Sequence, residues 1–134
     1  MNKRILIVDD DPTVQSLLRE YLETNGYAVE TVGTGQEALT KLDQASYDAV
    51  VTDYNLPEVN GLMVLRHAQQ RQPSIPLVMM TGESWSHLAV QTLTALGVQS
   101  CLFKPFATQE LGHALDKTIG EGKGTLSENR DCAK

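Results

Sequence analysis

Short unbroken apolar runs alternate along the chain with longer stretches in which apolar residues recur every three or four positions. Ile5 to Val8 is such a run. From Pro12 to Asn25, Val14, Leu17, Leu18, Tyr21 and Leu22 fall at i, i+3, i+4, i+7 and i+8, the spacing of a helix that buries one face. Asp11 suits the N-cap of that helix, Pro12 its first turn and Gly26 the residue past its end. The same alternation predicts strands over Ala28 to Val32, Ala49 to Thr52, Pro76 to Met80 and Val98 to Phe103. The helices between and after them run from Gly35 to Gln44 with Ala38, Leu39 and Leu42 inward, from Gly61 to Gln70 with Leu62, Leu65 and Ala68 inward, from Ser86 to Leu96, and from Thr108 to Ile119. Strands without alternating polar positions are covered on both faces. The pattern therefore predicts an α/β fold, a doubly wound five-stranded parallel sheet with helices on either side.

At 134 residues, 41% hydrophobic and 21% charged, the chain has the size and apolar content of one ordinary domain. That domain is expected over residues 1–119. Residues 120–134, "GEGKGTLSENRDCAK", hold three glycines and little that is apolar, and are expected to form a flexible tail or the start of a linker. No apolar run reaches the roughly 20 residues needed to span a bilayer, and the stretch after Met1 is too short for a secretory core, so a cytoplasmic location is expected. Cys101 and Cys132 have no CxxC spacing and no metal-ligand neighbours, and no structural disulfide is expected. The net charge of -6, with eleven scattered bases, argues against direct nucleic-acid binding. Most of the excess acidity is local: setting aside Asp9, Asp10, Asp11 and Asp53 leaves the acids nearly balanced by the bases.

"ILIVDDDPT", residues 5 to 13, runs an oily strand straight into three carboxylates. Capping explains Asp11 but not Asp9 or Asp10, and like charges about 4 Å apart repel by roughly 4 kcal/mol at an effective dielectric near 20. In open parallel sheets ligands bind outside the carboxyl ends of the strands. The polar residues at those ends are Asp9 and Asp10, Gly33, Asp53, Thr81 and Lys104. Hard carboxylate oxygens are what Mg²⁺ prefers, and the cation would relieve the repulsion. A phosphoryl group is the natural complement, with Lys104 and the Thr81 hydroxyl on its oxygens and an Asp53 carboxylate oxygen in line as nucleophile.

These residues resemble the receiver domains of two-component response regulators, among them the chemotaxis response regulator. The resemblance covers residues 3 to about 119 and rests on "ILIVDDD", "AVVTDYNLPEVNGL", "LVMMTG" and "CLFKPF", in that order. It implies a (βα)5 flavodoxin-like sheet of strand order 2-1-3-4-5. It implies Asp53 as phosphoacceptor, with Mg²⁺ held by Asp10, by Asp9 through a water, by Asp53 and by the main-chain carbonyl of Asn55. Thr81 and Lys104 would contact the phosphoryl group, Lys104 before a Pro105 bond that is often cis in the family, and Gly82 would leave access open. It further implies a phosphoryl donor that is a histidine kinase or phosphotransfer protein, an unidentified effector, and output through the face of the fourth helix, fifth strand and fifth helix. The domain would be a monomer or a phosphorylation-promoted dimer, without membrane contact. It would not be a conventional enzyme but would promote its own Mg²⁺-dependent phosphorylation and dephosphorylation.

Departures accompany the matches. Cys101 stands where the family has Tyr or Phe, the aromatic half of the switch, and Glu58 and Asn60 replace the commoner small residue and aspartate of that loop. The alternative that Cys101 raises is an interaction module that is never phosphorylated. Flavin-binding electron carriers share the fold but need a hydroxyl- and glycine-rich loop after the first strand, where "DDDPT" offers repulsion. A Mg²⁺-dependent phosphatase would need a substrate pocket for which the chain has no evident material. His67, His87 and His113 share no ligand spacing and read as ordinary helix-surface residues, and Trp85 fits packing and partner contact equally.

Overall fold

The computed structural model describes residues 3–81, 97–98, 100–103 and 107–121. Five strands, β1 (Arg4–Val8), β2 (Ala28–Val32), β3 (Ala49–Asp53), β4 (Leu77–Thr81) and β5 (Ser100–Phe103), form one parallel sheet in the order β2-β1-β3-β4-β5. The helices are α1 (Pro12–Thr24), α2 (Gly35–Gln44), α3 (Gly61–Arg71) and α4 (Thr108–Glu121). The predicted helix from Ser86 to Leu96 lies outside the described residues.

Each of the first three helices begins at a side chain suited to the task. Asp11 accepts from the Thr13 N–H at 2.9 Å, Thr34 from Glu37 at 3.1 Å and Asn60 from Met63 at 3.0 Å, relieving backbone donors that helical pairing leaves unmet.

The period-two alternation of the strands sorts the core into two layers. Ile5, Ile7, Val51, Val78, Met80 and Leu102 pack on one face against Leu18 and Leu22 of α1 and Leu111 and Leu115 of α4. Leu6, Val8, Val50 and Met79 pack on the other against α2 and α3, through Ala38, Leu42, Val64, Leu65 and Ala68. Each fully buried Leu or Ile contributes roughly 2 kcal/mol, so both layers must be filled for the sheet to hold.

Three expectations are corrected. Leu17 is 55% exposed and Leu39 half-buried, because α1 and α2 meet the sheet along a stripe narrower than their full set of apolar positions. β5 begins at Ser100 rather than Val98, although Val98 is fully buried. The last helix runs to Glu121, two residues past the expected Ile119.

Candidate functional site

Strand order builds the site. β3 lies between β1 and β4, so the carboxyl ends of three neighbouring strands bring Asp9, Asp53 and Thr81 to one edge of the sheet. Asp53 is the last residue of β3 and pairs in register with Met80; Thr81 follows as the last residue of β4. Asp9 and Thr81 are fully buried and Asp53 is 6% exposed, whereas Asp10 is open to solvent. Asp9, Asp10 and Asp53 each place a carboxylate oxygen within 4.8 Å of the other two. Three acids at that separation form a donor set of hard oxygens, the kind that suits a small divalent cation.

The backbone around the acids is held by short-range bonds. The Asp9 N–H donates to Val32 O at 3.1 Å, extending the β1–β2 pairing past the strand end. Asp9 Oδ1 accepts from the Asp11 N–H at 2.9 Å, and Asp11 in turn caps α1. Asp53 Oδ1 accepts from the Asn55 N–H at 3.1 Å, which sets the Asn55 main chain beside the acid cluster. The loop beyond is pinned at both sides. A Cβ on Gly61 would lie 2.3 Å from Asp53 O, and one on Gly35 would lie 2.1 Å from Val59 O. Within that loop Glu58 adopts φ 66°, the left-handed region that costs a non-glycine residue roughly 1–2 kcal/mol.

The structure thus brings four of the sequence-predicted residues, Asp9, Asp10, Asp53 and Thr81, to one edge, with Asn55 adjoining. Lys104, Pro105, Gly82, Trp85 and His87 lie outside the described residues. Cys101 is buried beside Met79 in β5. The expectation about a disulfide turns on both cysteines of the chain. The other cysteine, Cys132, lies outside the described residues. His67 Nε2 bonds Asp43 Oδ1 at 2.9 Å on the α2–α3 surface and His113 is exposed, neither near the acids in any bond.

Sequence reasoning missed one neighbour of the acids. Gln15 Nε2 reaches Asp9 O at 2.5 Å and Val32 O at 3.2 Å. As a polar residue of an amphipathic helix it carries no signal in the sequence.

A doubly wound α/β sheet with an acid cluster at its carboxyl edge defines the class, and comparison with known proteins narrows it. Over residues 5–116 the chain fits the family model of the response regulator receiver domain, and it belongs to that family. The alkaline phosphatase synthesis transcriptional regulatory protein PhoP of Bacillus subtilis is 36% identical over 111 residues, 83% of this chain and 46% of that protein. The response regulator MprA of Mycolicibacterium vanbaalenii is 40% identical over 111 residues, 83% of this chain and 48% of that protein. The chain therefore spans about half the length of these curated relatives.

Among solved structures, a CheY-like receiver domain protein from Methanospirillum hungatei superposes with a TM-score of 0.85 at 29% identity, covering 91% of this chain and 97% of that one. The receiver domain of the sensor histidine kinase PA1611 from Pseudomonas aeruginosa, solved with a magnesium ion coordinated in its active-site cleft, gives 0.78 at 27% identity, covering 90% and 99%. Among the described residues no helix is long and apolar enough to cross a membrane.

Proposed function

We propose that the chain is a phosphorylation-dependent switch that accepts a phosphoryl group on Asp53 from a histidine kinase or phosphotransfer protein. The observation that carries this reading is the convergence of Asp9, Asp10 and Asp53 within 4.8 Å, with Thr81 on the adjoining strand. It is supported by family membership and by the magnesium in the PA1611 receiver domain.

In this reading the Asp53 carboxylate oxygen attacks the phosphorus of the donor. The P–N bond of a phosphohistidine breaks as the P–O bond forms, and the imidazole leaves with its electron pair and takes up a proton. Asp10, Asp53 and the Asn55 carbonyl would hold Mg²⁺, with Asp9 acting through a water, and the cation would offset the charge gathered on the phosphoryl oxygens. The Asn55 N–H donates to one Asp53 oxygen at 3.1 Å and so orients the carboxylate. Thr81 and Lys104 take the phosphoryl oxygens, so their contacts exist only in the phosphorylated state. Only such differential contacts can shift the population toward an active form. Output passes by protein contact to an effector, through the face that the sequence assigns to the expected fourth helix, β5 and α4. The unit assigned to this role is residues 1–119, acting in the cytoplasm.

Intact-mass spectrometry after incubation with acetyl phosphate, with and without Mg²⁺, tests the reading. A Mg²⁺-dependent gain of one phosphoryl group that is absent in Asp53→Asn is the expected result. Gain retained in Asp53→Asn at another residue overturns the site, and no gain under any condition overturns the switch.

A further inference from the structure

Gln15 lies in the second turn of α1, six residues after Asp9, half-buried, and its side chain is turned back onto the strand ends. Its Nε2 meets two acceptors, Asp9 O at 2.5 Å and Val32 O at 3.2 Å. Both are carbonyl oxygens, so the amide must present its NH₂ to them, one hydrogen to each. Val32 O already accepts the Asp9 N–H at 3.1 Å. Gln15 therefore ties the residue after β1 to the last residue of β2.

The carbonyl it holds belongs to the peptide group that joins Asp9 to Asp10. Rotation of that group would swing the Asp10 carboxylate relative to Asp9 and release the Asp11 N–H from Asp9 Oδ1, a bond of 2.9 Å. The acids repel one another, so the cluster favours such a rotation unless something opposes it. Asp11 fixes the start of α1 through Thr13, and Gln15 fixes the Asp9 carbonyl.

We infer that Gln15 is a positioning residue for the acid cluster, its side-chain amide locking the Asp9–Asp10 peptide so that both carboxylates face a divalent cation. This rests on the proposed Mg²⁺ role of those acids. Groups that orient metal ligands from behind typically govern 10- to 100-fold in metal affinity.

The test is Mg²⁺ affinity by calorimetric titration of the full chain, comparing wild type with Gln15→Met, which keeps the length and loses both donors, and with Gln15→Ala. Leu18→Ala, which opens the core under α1 away from the acids, controls for general loosening, and circular dichroism confirms that each variant is folded. Amide hydrogen exchange at Asp11, measured without Mg²⁺, reads the peptide directly. The expected result is affinity roughly tenfold weaker in both Gln15 variants but within twofold of wild type in Leu18→Ala, with faster Asp11 exchange only in the Gln15 variants. Wild-type affinity in Gln15→Met and Gln15→Ala overturns the inference while leaving the proposed function standing. An equal loss in Leu18→Ala overturns it as well, and a wild-type protein that binds no Mg²⁺ overturns both.

Discussion

Toward the amino-terminal edge of the sheet, Glu30 of β2 sits among groups that complement it. Arg4 Nη2 donates to Glu30 Oε2 at 2.5 Å, the Tyr47 hydroxyl donates to Oε1 at 2.6 Å, and Lys41 Nζ stands 3.8 Å away. The Tyr47 hydrogen bond holds the Glu30 carboxyl below its ordinary range against the opposing effect of burial, with Arg4 assisting. Burial and the same bond push the Tyr47 phenol up. At the carboxyl edge Asp9, Asp10 and Asp53 sit among one another. One end spends its charges on joining β1, β2 and the segment before β3. The other gathers three carboxylates on backbone that is separately fastened, the arrangement on which the proposed cation and phosphoryl site rests.

The fastening at the carboxyl edge is the part most easily broken. Gly61→Ala puts a methyl group 2.3 Å from Asp53 O and 2.8 Å from Tyr54 Cα, backbone atoms that cannot turn aside. A loss of about 2 to 3 kcal/mol in urea unfolding is expected. A loss below about 0.5 kcal/mol would mean that the loop after β3 is loosely held, and that the carboxyl edge is not separately fastened.

At the amino edge, Tyr47→Phe removes the hydroxyl bond to Glu30 and keeps the buried ring. A loss of about 1 to 1.5 kcal/mol near neutral pH is expected, since the acceptor is an ionised carboxylate. Its pH dependence follows from the two shifts. A depressed Glu30 contributes stability that is present above its unfolded value, near 4.5, and lost as pH falls through the lower folded value. A raised Tyr47 contributes stability that is present below its unfolded value, near 10.0, and lost as pH rises through the higher folded one. The gap between wild type and variant should therefore be widest between about pH 5 and 9 and narrow on either side, as chemical denaturation across pH would record. A gap that does not vary with pH would assign the effect to packing.

The acid cluster was legible from the chain because two independent regularities coincide: unbroken apolar strands imply a parallel sheet, and a parallel sheet brings the residues after its strands to one edge. Helix starts were legible where a capping residue marks them, as at Asp11. Asn60, a departure from the family loop, proves to be such a cap for α3. Leu17 was misread because periodicity gives the apolar face of a helix and not the width of the surface that covers it. Gln15 was illegible for a different reason. Its partners are carbonyl oxygens of β1's exit and β2's last residue, and backbone acceptors leave no imprint on residue type.

The smallest effect is the most discriminating. Asp10→Asn removes one of three clustered charges at an exposed position, where no described hydrogen bond depends on its carboxylate. A pair of like charges 4.8 Å apart repels by roughly 3 kcal/mol at an effective dielectric of 20 and by about 1 in water, and Asp10 lies nearer the second limit. The variant should be about 0.5 to 1 kcal/mol more stable than wild type in urea unfolding with a chelator present and little salt. About 0.5 M salt should shrink the difference, because the Debye length falls to roughly 4 Å. Adding Mg²⁺ should raise the wild-type midpoint and move the variant less, reversing their order as ligand binding draws on the native state alone. A variant less stable than wild type in chelator would show that the fold already neutralises the cluster. The carboxyl edge would then resemble the amino edge, each acid matched from within, and the case for a resident cation would have to rest on the phosphorylation measurement alone.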